Sequence, residues 1–265
     1  MTAPVLVEDR SRVDGAVVLT LNRPGVRNAI DGELLDALLA AVRSLAAEAP
    51  ARVVVLRGAG LTAFSAGMDL RERASFDDAQ LADQHERIVA LVTGLTELPM
   101  PTIAAVEGFC LAGGFELALA CDLIVAASDA QFALPETHVG IFPGGGAARL
   151  LTWAVGAARA RDLILTGRRL SGVEAEHWGI VARVTEPGEA FAGALALAAD
   201  LAEAAALGLR GAKGAIRSAH ASLRDGQAAE DALYDAVVRS ADRREGFRAF
   251  VEKRRPAWAP EPDGD

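Results

Sequence analysis

At 265 residues, with 51% hydrophobic and 24% charged side chains, the chain is long enough to enclose a sizeable core and has the composition of a folded protein. A formal net charge of -9 excludes non-specific binding to nucleic acid or to an anionic membrane as the main activity, because both need a basic field. Its two cysteines, Cys110 and Cys121, lie inside apolar runs without a CxxC pair or a Cys/His cluster, so structural thiols are expected and neither a disulfide framework nor a metal site.

The opening MTAPVLVEDRSR carries acids and arginines where a secretory signal needs an apolar core, so a cytoplasmic location is expected. The β-branched runs AVVLTLNRP and ARVVVLRGAG stop at turn residues and predict strands near 16–22 and 52–57. Between them Leu34, Leu35, Leu38, Leu39, Val42 and Leu45 recur at helical spacing, which makes a strand-helix-strand unit. The pattern repeats with a helix over about 77–97, a strand at TIAAV, a helix from near Gly113, and short strands at DLIVAA and QFALP around the turn SDA. Strands alternating with helices predict an α/β architecture. Residues 102–127 are apolar enough to suggest a membrane span. Glu107, Glu116 and Asp122 interrupt them and Gly113-Gly114 punctuates them, so a buried core is expected instead. After about residue 190 the strand signals end and amphipathic helices follow without a Pro/Ser-rich linker.

Three segments can carry chemistry: FSAGMDL at 64–70, LAGGFE at 111–116 and LPETHVGIFPGGG at 134–146. A helix opening at Gly113 would present free N–H groups and a positive dipole end, suited to a developing oxyanion. The ordinary alternative is that both glycines only let a strand and a helix pack closely. Glu116, in the first turn, either complements that dipole or is held in an apolar run for a purpose; Glu136 is either a solvated loop carboxylate or its acid-base partner. AFSAG has the outline of a nucleophile elbow at Ser65, but that needs a strand ending at the serine, and the preceding strand is predicted to stop near Leu56. Likewise GAGLTA matches a dinucleotide-binding turn, although no amphipathic helix opens at Gly60. PGGG reads as a turn before a helix near Ala147, and His85 and His138 as structural histidines.

Together the three segments resemble the crotonase superfamily, most closely its enoyl-CoA hydratases, over nearly the whole length from LNRPGVRNAI to EGFRAFVEKRRPAW. The resemblance implies a ββα spiral core over residues 1–190 and a helical region over 191–265 that oligomerises into trimers or paired trimers. It implies addition of water across a 2-enoyl-CoA double bond, without a cofactor beyond the CoA of the substrate. Ala66 and Gly113 would be the oxyanion donors, and Glu116 and Glu136 the acid-base pair. Gly67, Met68 and Asp69 would lie at the substrate, and Arg23, Arg27 and Lys253 would meet the CoA nucleotide. Relatives with other reactions either lack one glutamate or carry an aspartate where this chain has Gly144, so hydration is favoured over isomerisation, hydrolysis or decarboxylation. Three departures stand out: Ala112 for a third glycine, expected to matter little, and Ala147-Ala148 and Met68 near the acyl pocket, which leave the acyl group open.

Overall fold

The computed structural model describes residues 5–9, 15–48, 51–218 and 238–257. A six-stranded sheet forms the first layer. Its antiparallel edge is β1 (Leu6–Asp9) against β2 (Ala16–Leu21), and the rest is parallel: β2, β3 (Val53–Gly58), β5 (Thr102–Val106), β7 (Leu123–Ala127) and β10 (Arg183–Thr185). Successive side chains of a strand point to opposite faces. Val17, Leu19, Leu21, Val54, Leu56, Ala104, Val106, Ile124 and Ala126 therefore face one way, into the main core. Val18, Val53, Val55, Ile103, Ala105 and Val125 face the other way, against Ala194, Leu197 and Ala198. Burial on both faces is why these strands read as unbroken apolar runs rather than as alternating ones.

The second sheet is small: β4 (Ala63–Ser65), β6 (Phe109–Leu111), β8 (Gln131–Ala133) and the antiparallel β9 (Leu170–Ser171). Strands β3 and β4, β5 and β6, and β7 and β8 follow one another in the chain. Each pair gives one strand to each sheet and is followed by a helix: α3 (Asp78–Glu97), α4 (Gly113–Ala120) and α5 (Ala147–Thr166) respectively. The architecture is thus a ββα unit wound three times, and it explains why the apolar stretch 102–127 is two strands, a helix and a third strand. Among the described residues no single helix is long and apolar enough to cross a membrane.

The first helix, α1 (Gly32–Glu48), packs its leucine stripe on α3, and the short α2 (Leu70–Arg73) precedes α3. Asp77 and Gln80 close a reciprocal capping box that fixes the start of α3. The α5 segment is kinked at Gly156, whose φ of 77° and ψ of 159° are not helical. The three-residue strands β4 and β6 are too short to show an alternating pattern, so sequence periodicity passes over them.

After the short α6 (Gly172–His177), the helices expected beyond residue 190 follow: α7 (Ala190–Ala202) and α8 (Ala206–Ser218), bent from each other by 108°. Helix α7 is the cover of the large sheet's second face. Helix α8 is tied down by Lys213, whose Nζ donates to the Met100 carbonyl at 3.0 Å and pairs with Asp122 at 2.7 Å. The last helix among the described residues, α9 (Ala241–Glu252), lies on the turn that follows β8: a Cβ on Gly246 would fall 2.2 Å from the Val139 carbonyl oxygen, so only glycine allows this seat.

Candidate active site

Strand β6 delivers the chain to Ala112, the residue before α4, whose φ of 51° and ψ of -129° lie in a region that suits glycine. The two glycines that follow have different jobs. A Cβ on Gly114 would lie 2.6 Å from the Ser65 carbonyl oxygen, so this glycine lets α4 pack on β4, as the ordinary alternative had it. A Cβ on Gly113 would make only normal contact with Met68, at 3.6 to 3.7 Å, so close packing does not account for Gly113. Gly67, at φ +88°, touches from the other side: a Cβ there would be 2.8 Å from Cβ of Ala112 and 3.0 Å from the Gly113 nitrogen. Segments 66–68 and 112–113 thus form one surface.

The backbone donors on this surface correct one expectation. The Ala66 N–H is spent on the Arg27 carbonyl at 3.0 Å, and the Gly67 N–H on Ser65 Oγ at 3.1 Å. Residue 68 bridges Ile30: the Ile30 N–H donates to the Gly67 carbonyl and the Asp69 N–H donates to the Ile30 carbonyl, both at 2.8 Å. In extended chain the intervening N–H points the opposite way. The Met68 N–H is therefore turned from Ile30 toward Gly113, and it has no acceptor among the described residues. The Gly113 N–H, first in its helix, has no intrahelical acceptor either. Met68, not Ala66, partners Gly113 as a free donor. The alternation follows from the pairing with Ile30, which no local sequence signal reveals.

Ser65 does end a strand, contrary to expectation, because β4 intervenes after β3. It is nonetheless fully buried, its Oγ donating to the Asn28 carbonyl at 2.8 Å while accepting from Gly67. The hydroxyl is a structural brace for the 65–68 loop. The GAGLTA stretch leads from β3 into β4 without a helix, so it lacks the phosphate-facing helix N-terminus of a dinucleotide site.

Both glutamates are buried, 4% exposed for Glu116 and 6% for Glu136. Glu116 Oε1 accepts from the N–H groups of Gly145 (2.8 Å) and Ala147 (3.2 Å). A Cβ on Gly145 would lie 2.6 Å from Oε2, so the glycine turn is moulded around this carboxyl group. The departures at Ala147-Ala148 thus leave intact what the Ala147 backbone does. Glu136 opens the 3-10 turn Glu136–Val139, and its Oε2 is buried without a hydrogen-bond partner among the described residues. Burial raises both side chains above the ordinary carboxyl range. The rise at Glu116 is opposed by its backbone donors, whereas Glu136 is pushed well up by burial and then by the negative charge of Glu116. The charge of Glu116 thus reaches Glu136, twenty residues along the chain.

Arg73, which sequence reading passed over, is 3% exposed at the end of α2, and its charge opposes the rise at both glutamates. Its guanidinium also lies 5.7 Å from the Phe247 ring of α9. No sequence signal separates it from the arginines around it; burial does.

The expected anion-binding residues divide. Arg23 is a brace, donating to the Ala29 carbonyl and pairing with Asp31 at 2.9 Å and Asp69 at 3.2 Å. Asp69 also caps α2 through the Arg71 N–H, so Arg23 and Asp69 are engaged in holding the loop. Arg27 is exposed and, with the exposed Arg169, flanks the Phe109 ring, each 5.3 Å from its centre. Lys253 is the exposed left-handed C-cap of α9. Both cysteines are buried free thiols, with burial pushing Cys121 to about 12. Among the described residues no group of three or more His, Cys, Asp or Glu is placed to hold a metal ion.

The family model described as "Enoyl-CoA hydratase/isomerase" matches residues 12–261. The chain belongs to that family. It is 40% identical over 249 residues to enoyl-CoA hydratase domain-containing protein 2 of Mus musculus, covering 92% of this chain and 84% of that protein. To the methylglutaconyl-CoA hydratase of Rattus norvegicus it is 38% identical over 257 residues, covering 95% and 81%. Among solved structures, an enoyl-CoA hydratase from Mycobacterium avium subsp. paratuberculosis superposes with a TM-score of 0.86 at 30% identity, covering 97% of this chain and 99% of that one. One from Bacillus anthracis gives 0.79 at 37% identity, covering 96% and 98%. The triple ββα winding is thus the crotonase fold, and this family member is an acyl-CoA enzyme of the hydratase/isomerase type.

Proposed function

We propose that the protein is a 2-enoyl-CoA hydratase, with the Met68 and Gly113 N–H groups as oxyanion donors and Glu116 and Glu136 as the acid-base pair. The observation that carries this reading is a pair of buried carboxyl groups in unequal surroundings, Glu116 held by two backbone donors and Glu136 with an unpartnered Oε2 among the described residues. Two backbone donors favour the ionised form of Glu116; no donor reaches Glu136 Oε2, which favours the protonated form.

The chemistry follows. The thioester oxygen accepts from the two free N–H groups, which stabilise the charge that develops on it as the C3–O bond forms; each such donor contributes about 10²-fold to 10³-fold elsewhere. Glu116 takes one proton from the attacking water, and the electrons of the double bond move onto the carbonyl as an enolate. Glu136 then gives its proton to C2, and the product is a 3-hydroxyacyl-CoA. Acid-base help of this kind contributes on the order of 10²-fold to 10⁴-fold. The substrate gains one water, the proton left on Glu116 passes to Glu136 directly or through solvent to restore the starting state, and no added cofactor is consumed. Gly144, buried in the turn beside Gly145, brings no third carboxylate to the site, which favours hydration over the reactions that use an aspartate there. Arg27, Arg169 and Lys253 are the exposed cations assigned to the CoA phosphates. Oligomerisation through the region 191–265 is supported by Leu207 and Ile216 of α8, 83% and 60% exposed.

The test follows the conjugated thioester absorbance of crotonyl-CoA, with products identified by mass. Loss of absorbance with gain of one water, reduced at least 10³-fold by Glu136→Gln and by Glu116→Gln, is the expected result. Full activity in both variants would refute the assignment of the dyad. Saturable binding without turnover would refute hydration while leaving the oxyanion site in place.

A further inference from the structure

Gln84 of α3 is 1% exposed, and neither its Nε2 nor its Oε1 has a hydrogen-bond partner among the described residues. A primary amide shut away from water with both ends unpaired is costly, and native interiors rarely keep one without a use. Its position on α3 says where it looks. Residues three and four apart share a face of a helix, so Leu81, Gln84 and Ile88 form one stripe.

Both ends of that stripe touch the catalytic carboxyl groups' own supports. Ile88 Cγ2 lies 2.8 Å from where a Cβ on Gly145 would stand, beside the carboxyl of Glu116. Leu81 packs with Val139 and Ile141, the residues that close the Glu136 turn. Gln84, on the same helical stripe between them, thus lies along α3 between the segment that holds Glu116 and the turn that carries Glu136. On that turn Thr137 Oγ1, like Glu136 Oε2, is buried without a partner. A pocket for a plain hydrocarbon chain has no need of such groups, since an amide that hydrogen-bonds only in solvent would oppose an apolar ligand.

We infer that Gln84 is a specificity-determining residue that hydrogen-bonds an oxygen function (carboxylate, carbonyl or hydroxyl) on the acyl chain, beyond the double bond. The natural substrate class is then an oxygenated 2-enoyl-CoA. This rests on the acyl-CoA site described above but not on hydration as the reaction. A hydroxyl or carboxylate engages Nε2 as acceptor, a hydroxyl also engages Oε1 as donor, and the apolar analogue leaves both unpaired. Sites built to hydrogen-bond a substrate group reject the analogue lacking it far more strongly than hydrophobic pockets reject an extra methylene.

The test measures binding by calorimetry, so that it does not depend on turnover. Pentanoyl-CoA, 5-hydroxypentanoyl-CoA and glutaryl-CoA, of equal carbon length, are titrated into the full-length protein and into Gln84→Leu, a nearly isosteric change. One or both oxygenated ligands should bind at least tenfold more tightly than pentanoyl-CoA to the native chain, and that advantage should vanish in the variant. Because Leu removes an unpaired buried amide, the variant should also be at least as thermostable as the native chain, which separates loss of recognition from loss of fold. Equal binding of all three ligands to the native chain, or an advantage that survives Gln84→Leu, would overturn the inference. Discrimination in binding together with no hydration of crotonyl-CoA or of any oxygenated enoyl-CoA would uphold Gln84 and sink the hydratase reading instead.

Discussion

Ala112 offers a sharp physical test, because it carries a side chain where the backbone asks for none. Its φ of 51° with ψ of -129° costs a non-glycine residue about 1–3 kcal/mol. Replacing it by glycine releases that strain. It also gives the unfolded chain more freedom, which costs about 0.4–1 kcal/mol. At most one partly buried methyl group is lost, with a burial value of up to about 0.8 kcal/mol. The balance is a gain of about 1 kcal/mol, and for a domain of this size that raises Tm by roughly 2–4 °C. Differential scanning calorimetry of Ala112→Gly against the native protein checks it. Turnover of crotonyl-CoA should stay within a few-fold, since the Gly113 N–H keeps its place at the start of α4. A fall in Tm would refute the reasoning, because it would mean that the conformation is held by contacts of the Ala112 methyl with Gly67 rather than tolerated despite it.

Stability should also depend on the dyad. Both glutamates hold their protons above the ordinary value of 4.5, so the native state binds more protons than the unfolded one once the pH passes that value. Stability then falls as the pH rises from there through the folded-state range of the pair. The double variant Glu116→Gln, Glu136→Gln should flatten this part of a Tm-against-pH curve; an unchanged slope would assign it elsewhere. Ser65→Ala should lower stability by about 1–3 kcal/mol in urea titrations, because the Asn28 carbonyl and the Gly67 N–H lose their buried partner. It should leave activity measurable, whereas a nucleophilic serine would show complete loss with no change in stability.

What the sequence determined by itself are the features that depend on near neighbours. Leucine spacing placed α1 and α3, β-branched runs placed β2, β3 and β5, and the glycine pair marked the start of α4, because helix and strand periodicities are written within ten to twenty residues. Glu116, Glu136 and Gly113 were singled out by the resemblance of three motifs taken together, since spacing alone left each an ordinary alternative. Tertiary structure decided the rest. Strands of three residues, β4 and β6, exist only because each finds a partner in the second sheet. Ala66 and Met68 are two residues apart in one motif, and only the pairing of Gly67 and Asp69 with Ile30 determines which of their N–H groups is spent and which is free. Arg23 reads like Arg27 until its contacts with Asp31 and Asp69 show it to be a brace. Glu116, Glu136 and Arg73 come from three elements, and the charges they feel from one another, their burial and the direction in which burial moves the carboxyl groups are properties of packing. A linear sequence records which groups are present; their solvent exposure and partners are fixed only when distant segments meet.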